Sequence, residues 1–192
     1  MRLDSERWNC RQEKTIVLVA LQNGCICCTL KMDLVEQIDD IMKIGGVFDY
    51  IVIEASGVCE PAPIAQTICS ISGMNTVYGS CRLDCIVTVV DALRLQSEFS
   101  CGNDLTRKGI DEEDIENLII QQIEFCNIIL LNKASEVKRD ELERIKQIIR
   151  TLQPAAEIVE CDYAEVDLNK IINTGVVLIL NGLPLLPVGY VV

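Results

Sequence analysis

An α/β fold built on a mostly parallel sheet is predicted by three observations: aliphatic runs that do not alternate with polar residues, helical stripes between those runs, and polar residues where the runs stop. The runs are Thr15–Leu21, Tyr50–Ile53, Cys85–Val90 and Asn127–Leu131. Consecutive β-branched and aliphatic positions have no solvent side to offer, so each run reads as a strand buried on both faces, as parallel strands are when helices cover the sheet. The composition agrees, with 49% apolar residues and only 4% aromatics. A chain of 192 residues can bury one substantial core, and no repeat or Gly/Ser linker divides it. The expectation is one domain over 1–192. Its segment 176–192 is broken by Asn181, Gly182, Pro184, Pro187 and Gly189 and is read as a last strand and tail rather than a membrane span.

The helices follow from period and punctuation. Leu34, Ile38, Ile41 and Gly45 share a stripe, as do Leu142, Ile145, Ile149 and Leu152. Pro61 and Pro63 suit the first turn of a helix running to about Ser72, because proline lacks the N–H that a first turn leaves unbonded. Ile115–Cys126 is a further apolar helix, and the run Asp111-Glu112-Glu113-Asp114 before it complements a helix N-terminus. The strand runs end at Asn23-Gly24, Glu54, Asp91 and Asn132. Polar residues thus gather at the carboxyl ends of successive strands, where open parallel sheets bind ligands.

Charge and residue usage exclude several classes. Seventeen basic against 29 acidic residues give a net charge of −12, which opposes binding to nucleic acid or an anionic membrane surface. There is no His, so imidazole chemistry and His ligation are absent from this chain. Eleven Cys, an odd number that includes adjacent Cys27 and Cys28, point to reduced thiols in a cytoplasm rather than a disulfide framework.

Three of those thiols crowd one short segment, Asn23-Gly24-Cys25-Ile26-Cys27-Cys28-Thr29-Leu30. Thiolate is the soft donor that favours Zn²⁺ or Cu⁺ over Mg²⁺ or Ca²⁺, and three thiolates leave one tetrahedral position open. An open position suits a site that passes its metal on. The same residues, taken alone, also fit small buried hydrophobes or reactive thiols.

An ordered set of segments carries a family resemblance. The cysteine loop, then Asp33-Leu34, then Phe48–Gly57 with its Glu54-Ala55-Ser56-Gly57 and Pro61, then Val89-Val90-Asp91-Ala92, and last Leu130-Leu131-Asn132-Lys133, resemble the successive motifs of CobW-like GTPase metallochaperones, relatives of UreG and HypB. The resemblance covers about residues 16–175 and implies a three-layer sheet of the P-loop NTPase type. It implies that Cys25, Cys27 and Cys28 hold the transferred Zn²⁺ or a related divalent metal. It implies that Glu54 orders Mg²⁺ or the attacking water, that Ser56 and Gly57 contact the γ-phosphate, and that Asn132 and Lys133 flank the purine of GTP. Asp91 is expected to organise the loop beside it. A metal-receiving client protein is the implied partner, and homodimerisation stays open.

The chain departs from that pattern in two places. No Gly-Lys pair of a P-loop occurs anywhere, and Lys14-Thr15 lies too close to Cys25 to head a helix and a switch segment. The first βα unit of the fold is therefore expected to be missing and GTP hydrolysis impaired. Ser135 also stands where the motif has a guanine-binding Asp, a loss of about 1.5–3 kcal/mol of charged hydrogen bonding. Two other readings remain: a nucleotide-independent thiol module that binds zinc or senses oxidation, and an inactive fragment.

Overall fold

Four consecutive apolar residues, Ile128–Leu131, are all buried and sit at the centre of the sheet. The structure, a computed structural model, describes residues 34–36, 38, 40–41, 50–55, 57, 59, 61–72, 83–111, 114–174, 179–180, 183–184 and 190–191. The expected strand Thr15–Leu21, the loop of Cys25, Cys27 and Cys28, and Ser56 lie outside these residues.

The described elements begin with helical backbone at residues 34–36, 38, 40 and 41. They continue with β1 (Ile51–Val52), α1 (Pro61–Ser72), β2 (Val87–Asp91), α2 (Ala92–Glu98), a 3-10 segment (Ser100–Thr106), α3 (Ile115–Glu124), β3 (Ile128–Asn132), α4 (Arg139–Leu152) and β4 (Glu157–Glu160). Short strands β5 (Ile179–Leu180), β6 (Leu183–Pro184) and β7 (Tyr190–Val191) follow. The β2, β3 and β4 strands form one parallel sheet in that order, with Val87 level with Ile128 and Ile128 level with Glu157. A second parallel pair joins β1 to β7, and β5 pairs antiparallel with β6.

Alternation along β3 explains why its run is apolar throughout. Ile129 and Leu131 enter the main core, whereas Ile128 and Leu130 join Cys85, Val159 and Cys161 on the opposite face, over which Val166, Ile171 and Ile172 pack. On the main side, α4 contributes Leu142, Ile145 and Ile149 at helical spacing, and α1 contributes Ile64, Ala65 and Ile68. The helix expected to start at Pro61 and end near Ser72 does so. The expected Ile115–Cys126 helix stops at Glu124, where the N–H of Phe125 closes on Gln121 O and Cys126 already leads into β3.

Where the sequence suggested one last strand within 176–192, three short ones, β5, β6 and β7, are found, and α2, the 3-10 segment and β4 were not read from the sequence either. Helix α2 starts directly from the strand because Asp91 caps it, Oδ1 accepting from Arg94 N at 3.0 Å. The 3-10 segment turns sharply at Cys101 and Gly102, both at positive φ, and a side chain at Gly102 would meet Ile148 at 3.1 Å. Strand β4 has only Ile158 and Val159 between two glutamates. The acidic run expected before α3 ends at Asp114, the residue at the N-cap position. Its carboxylate makes no cap to the helix and instead accepts from Asp111 N and from Arg107. Among the described residues no helix is long and apolar enough to cross a membrane.

Candidate functional site

The parallel register brings Asp91 level with Asn132 at the carboxyl ends of β2 and β3. Lys133 then adopts a left-handed conformation, φ 58° and ψ 34°, which is costly for a residue with a side chain and reverses the strand's course. Its Nζ donates to Asp91 Oδ2 at 2.6 Å. Burial works to raise the Asp91 carboxyl, but the Lys133 ammonium and the Arg94 N–H outweigh it and hold the group below the usual carboxylate range. The Asp91 hydrogen bond in turn holds Lys133 above the usual lysine value. Both groups are therefore charged at neutral pH, and Asp91 ties the two strand ends together.

Asn132 faces the loop that follows β4. Its Oδ1 accepts from Ala164 N at 3.0 Å and from the Cys161 thiol at 3.9 Å. With the carbonyl oxygen engaged, the amide NH₂ is the part of Asn132 left to meet an acceptor such as a purine ring nitrogen. The two loops also meet through their backbones: Ala134 N donates to Cys161 O at 3.2 Å, and Ser135 N to Asp162 Oδ1 at 3.1 Å. Asn132 and Lys133 thus sit together in a braced corner.

Glu54 and Gly57 lie beyond β1, both exposed. The turn is held by Gln122 of α3, whose Nε2 donates to Gly57 O at 3.1 Å and Cys59 O at 3.2 Å. Among the described residues a Cβ added at Gly57 would meet nothing within 4 Å, and its φ is not left-handed. Neither packing nor backbone geometry demands glycine there, so the open space above this turn is available to a ligand. Cys59 is buried at 3% exposure, beneath the turn.

Sequence reasoning missed Gln122, Asp162 and the Asp91–Lys133 pair. Each acts through a partner 27 to 65 positions away or on a residue type common on any surface, so only the tertiary arrangement reveals it. Among the described residues no group of three or more His, Cys, Asp or Glu could hold a metal ion, and the cysteine loop expected to do so lies outside them. The described thiols Cys59, Cys69, Cys85, Cys101, Cys126 and Cys161 form no disulfides. Burial, with help from Asp84, pushes Cys85 up to about 12, and burial pushes Cys126 to about 11, so these two thiols stay protonated and inert.

The family model for the CobW/HypB/UreG nucleotide-binding domain matches residues 1–160. The chain belongs to this family. A curated relative from Dictyostelium discoideum, zinc-regulated GTPase metalloprotein activator 1, is 34% identical over 176 residues, covering 88% of this chain and 37% of its own length. The protein of the same name from Schizosaccharomyces pombe is 33% identical over 149 residues, 78% of this chain and 32% of its own. The zinc chaperone CobW of Pseudomonas aeruginosa is 27% identical over 157 residues, 77% of this chain and 41% of its own. The chain therefore spans well under half the length of these relatives. The Zn(II)-bound YjiA GTPase from Escherichia coli superposes with a TM-score of 0.54 at 23% identity, over 76% of this chain and 40% of that one, which establishes the fold. The corner at Asn132–Lys133 and the turn at Glu54–Gly57 follow the carboxyl ends of β3 and β1, the kind of position at which open α/β sheets take ligands.

Proposed function

We propose that this chain is the nucleotide-binding part of a zinc-handling GTPase, in which GTP lies between the Asn132–Lys133 corner and the Glu54–Gly57 turn and a thiolate loop carries the metal. The observation that carries this reading is the braced corner: Asn132 is oriented by Ala164 and Lys133 by Asp91, so an amide and an apolar stem are presented together before any ligand arrives. The exposed Glu54 carboxylate and the open turn at Gly57 fit a hydrated Mg²⁺ and a phosphate. Bound Mg²⁺ would neutralise phosphate charge, while Glu54 holds its water shell and Gly57 lets a backbone N–H approach. Ser56 would contact the same phosphate. The names of the relatives, zinc-regulated GTPase metalloprotein activator and zinc chaperone, support zinc as the cargo held by Cys25, Cys27 and Cys28. A client protein would receive it.

The 192 residues carry no Gly-Lys phosphate cradle, so this chain on its own turns GTP over slowly. Native mass spectrometry of the reduced chain with Zn²⁺, with and without GTP and Mg²⁺, beside the Cys25/Cys27/Cys28→Ala variant, tests the reading. One zinc lost in the variant together with bound GTP is the expected result. Zinc that ignores GTP would favour a nucleotide-independent thiol module, and the absence of specific zinc would remove the metal-handling half of the proposal.

A further inference from the structure

The loop after β4 does more than brace Asn132. Tyr163 and Ala164 both adopt left-handed backbone conformations, φ 53° and 55°, and this reversal folds Cys161–Ala164 against the Asn132–Ser135 segment. Asp162 is thereby set on the backbone N–H of Ser135, with Oδ1 3.1 Å from the nitrogen. Ser135 itself offers only a short neutral hydroxyl. An ionised carboxylate has two oxygens and roughly four acceptor positions, and the Ser135 N–H uses one of them.

We infer that Asp162 is the base-selecting residue of this nucleotide site, supplying from the β4 loop the carboxylate that the Asn132-Lys133-Ala134-Ser135 turn lacks, and that the site consequently selects guanine. The inference rests on the nucleotide reading given above. Its chemistry is that of the base edge. Guanine presents two neighbouring donors, the ring N1–H and the exocyclic amine, and a carboxylate is the side chain that accepts from both at once. Adenine presents an acceptor in the ring position and is refused there. Asn132 and Asp162 flank the same turn, the amide held by Ala164 N and the carboxylate by Ser135 N, so both groups are oriented in advance. Glu136 is the acidic side chain on the turn itself; it is exposed, and it closes the turn through its backbone N–H to Lys133 O.

Ligand-observed NMR on the full chain with GDP, xanthosine diphosphate and ADP tests this, comparing the native chain with Asp162→Asn, Glu136→Gln and Asn132→Ala. The native chain should prefer GDP. Asp162→Asn keeps an oxygen for the Ser135 N–H but turns an acceptor into a donor, so GDP should weaken about tenfold or more while xanthosine diphosphate, with a carbonyl in place of the amine, gains. A gain of that kind cannot come from misfolding. Glu136→Gln should leave the preference as it is. If Asn132→Ala weakens every nucleotide but Asp162→Asn keeps the native preference, or if Glu136→Gln moves it, the assignment of Asp162 is overturned while the site survives. If no nucleotide binds the native chain, or Asn132→Ala changes nothing, the site itself falls and the assignment with it.

Discussion

The two ends of the proposed nucleotide site are held in different ways. At Asn132–Ser135, two loops interlock through Ala134–Cys161, Ser135–Asp162 and Ala164–Asn132 hydrogen bonds, over a strand buried on both faces. At Glu54–Cys59, the Gln122 side chain reaches from α3 and donates to the Gly57 and Cys59 carbonyls. The proposed base end is braced by hydrogen bonds between two loops, and the proposed phosphate end is an exposed turn. A braced corner fits recognition of a planar group, whereas an exposed turn fits a phosphate that changes during a reaction cycle.

The largest test of this contrast lies in what supports each end. Leu131, at 0% exposure, lies under the base corner, and Leu131→Ala should cost about 2–5 kcal/mol of unfolding free energy in guanidinium titrations. Val52 of β1 is 67% exposed, and Val52→Ala should stay within about 0.5 kcal/mol. Equal losses would erase the difference. Gln122→Ala comes next: it removes the donor to two carbonyls and should cost about 0.5–1.5 kcal/mol, with faster amide exchange confined to the turn at 57–59 and none at 132–135. Exchange rising at both ends would mean that they are one cooperative unit.

Smaller still in stability, yet informative for binding, is Gly57→Ala. Among the described residues the new methyl meets no atom within 4 Å, so the midpoint of thermal unfolding should barely move, while the Mg²⁺-dependent part of GTP binding falls and guanosine binding does not. If both ligands bind as before, the turn is not where phosphate sits. The smallest effect is expected from Lys133→Met. Asp91 is held below its unfolded value, so its share of the pair's stability is present above about pH 4 and disappears as pH falls through the folded value; Lys133 is held above its own, so its share is present below about pH 10.4 and disappears as pH rises through the folded value. The stability difference between native and variant chains should therefore be open across that window and close at both ends. A difference that persisted at pH 2 would assign the Lys133 side chain a packing role instead.

Much of the sheet was legible because β3 and β2 are continuous aliphatic runs, and α1 and α4 were legible because Pro61 opens one and a stripe at Leu142, Ile145 and Ile149 marks the other. Helix α2 was not, because Asp91 reads equally as the end of a strand and as the cap of a helix. Strand β4 was not, because two apolar residues between glutamates carry no period. At the site, Asn132, Lys133, Glu54 and Gly57 were legible as motif residues, and their partners Ala164, Asp91, Asp162 and Gln122 were not.

The sequence by itself determined the buried run of β3, where polar residues interrupt the strands, and which family's ordered motifs the chain carries, since these depend on residue types at short spacing; the runs of β1 and β2, expected to be buried on both faces, leave Val52 and Val89 exposed. The tertiary structure alone decided that Asp91 meets Lys133 and that Asp162 meets Ser135. Those meetings follow from the parallel register that levels Asp91 with Asn132 and Leu131 with Glu160, and a ladder between strands joined by crossover helices leaves no trace in local composition.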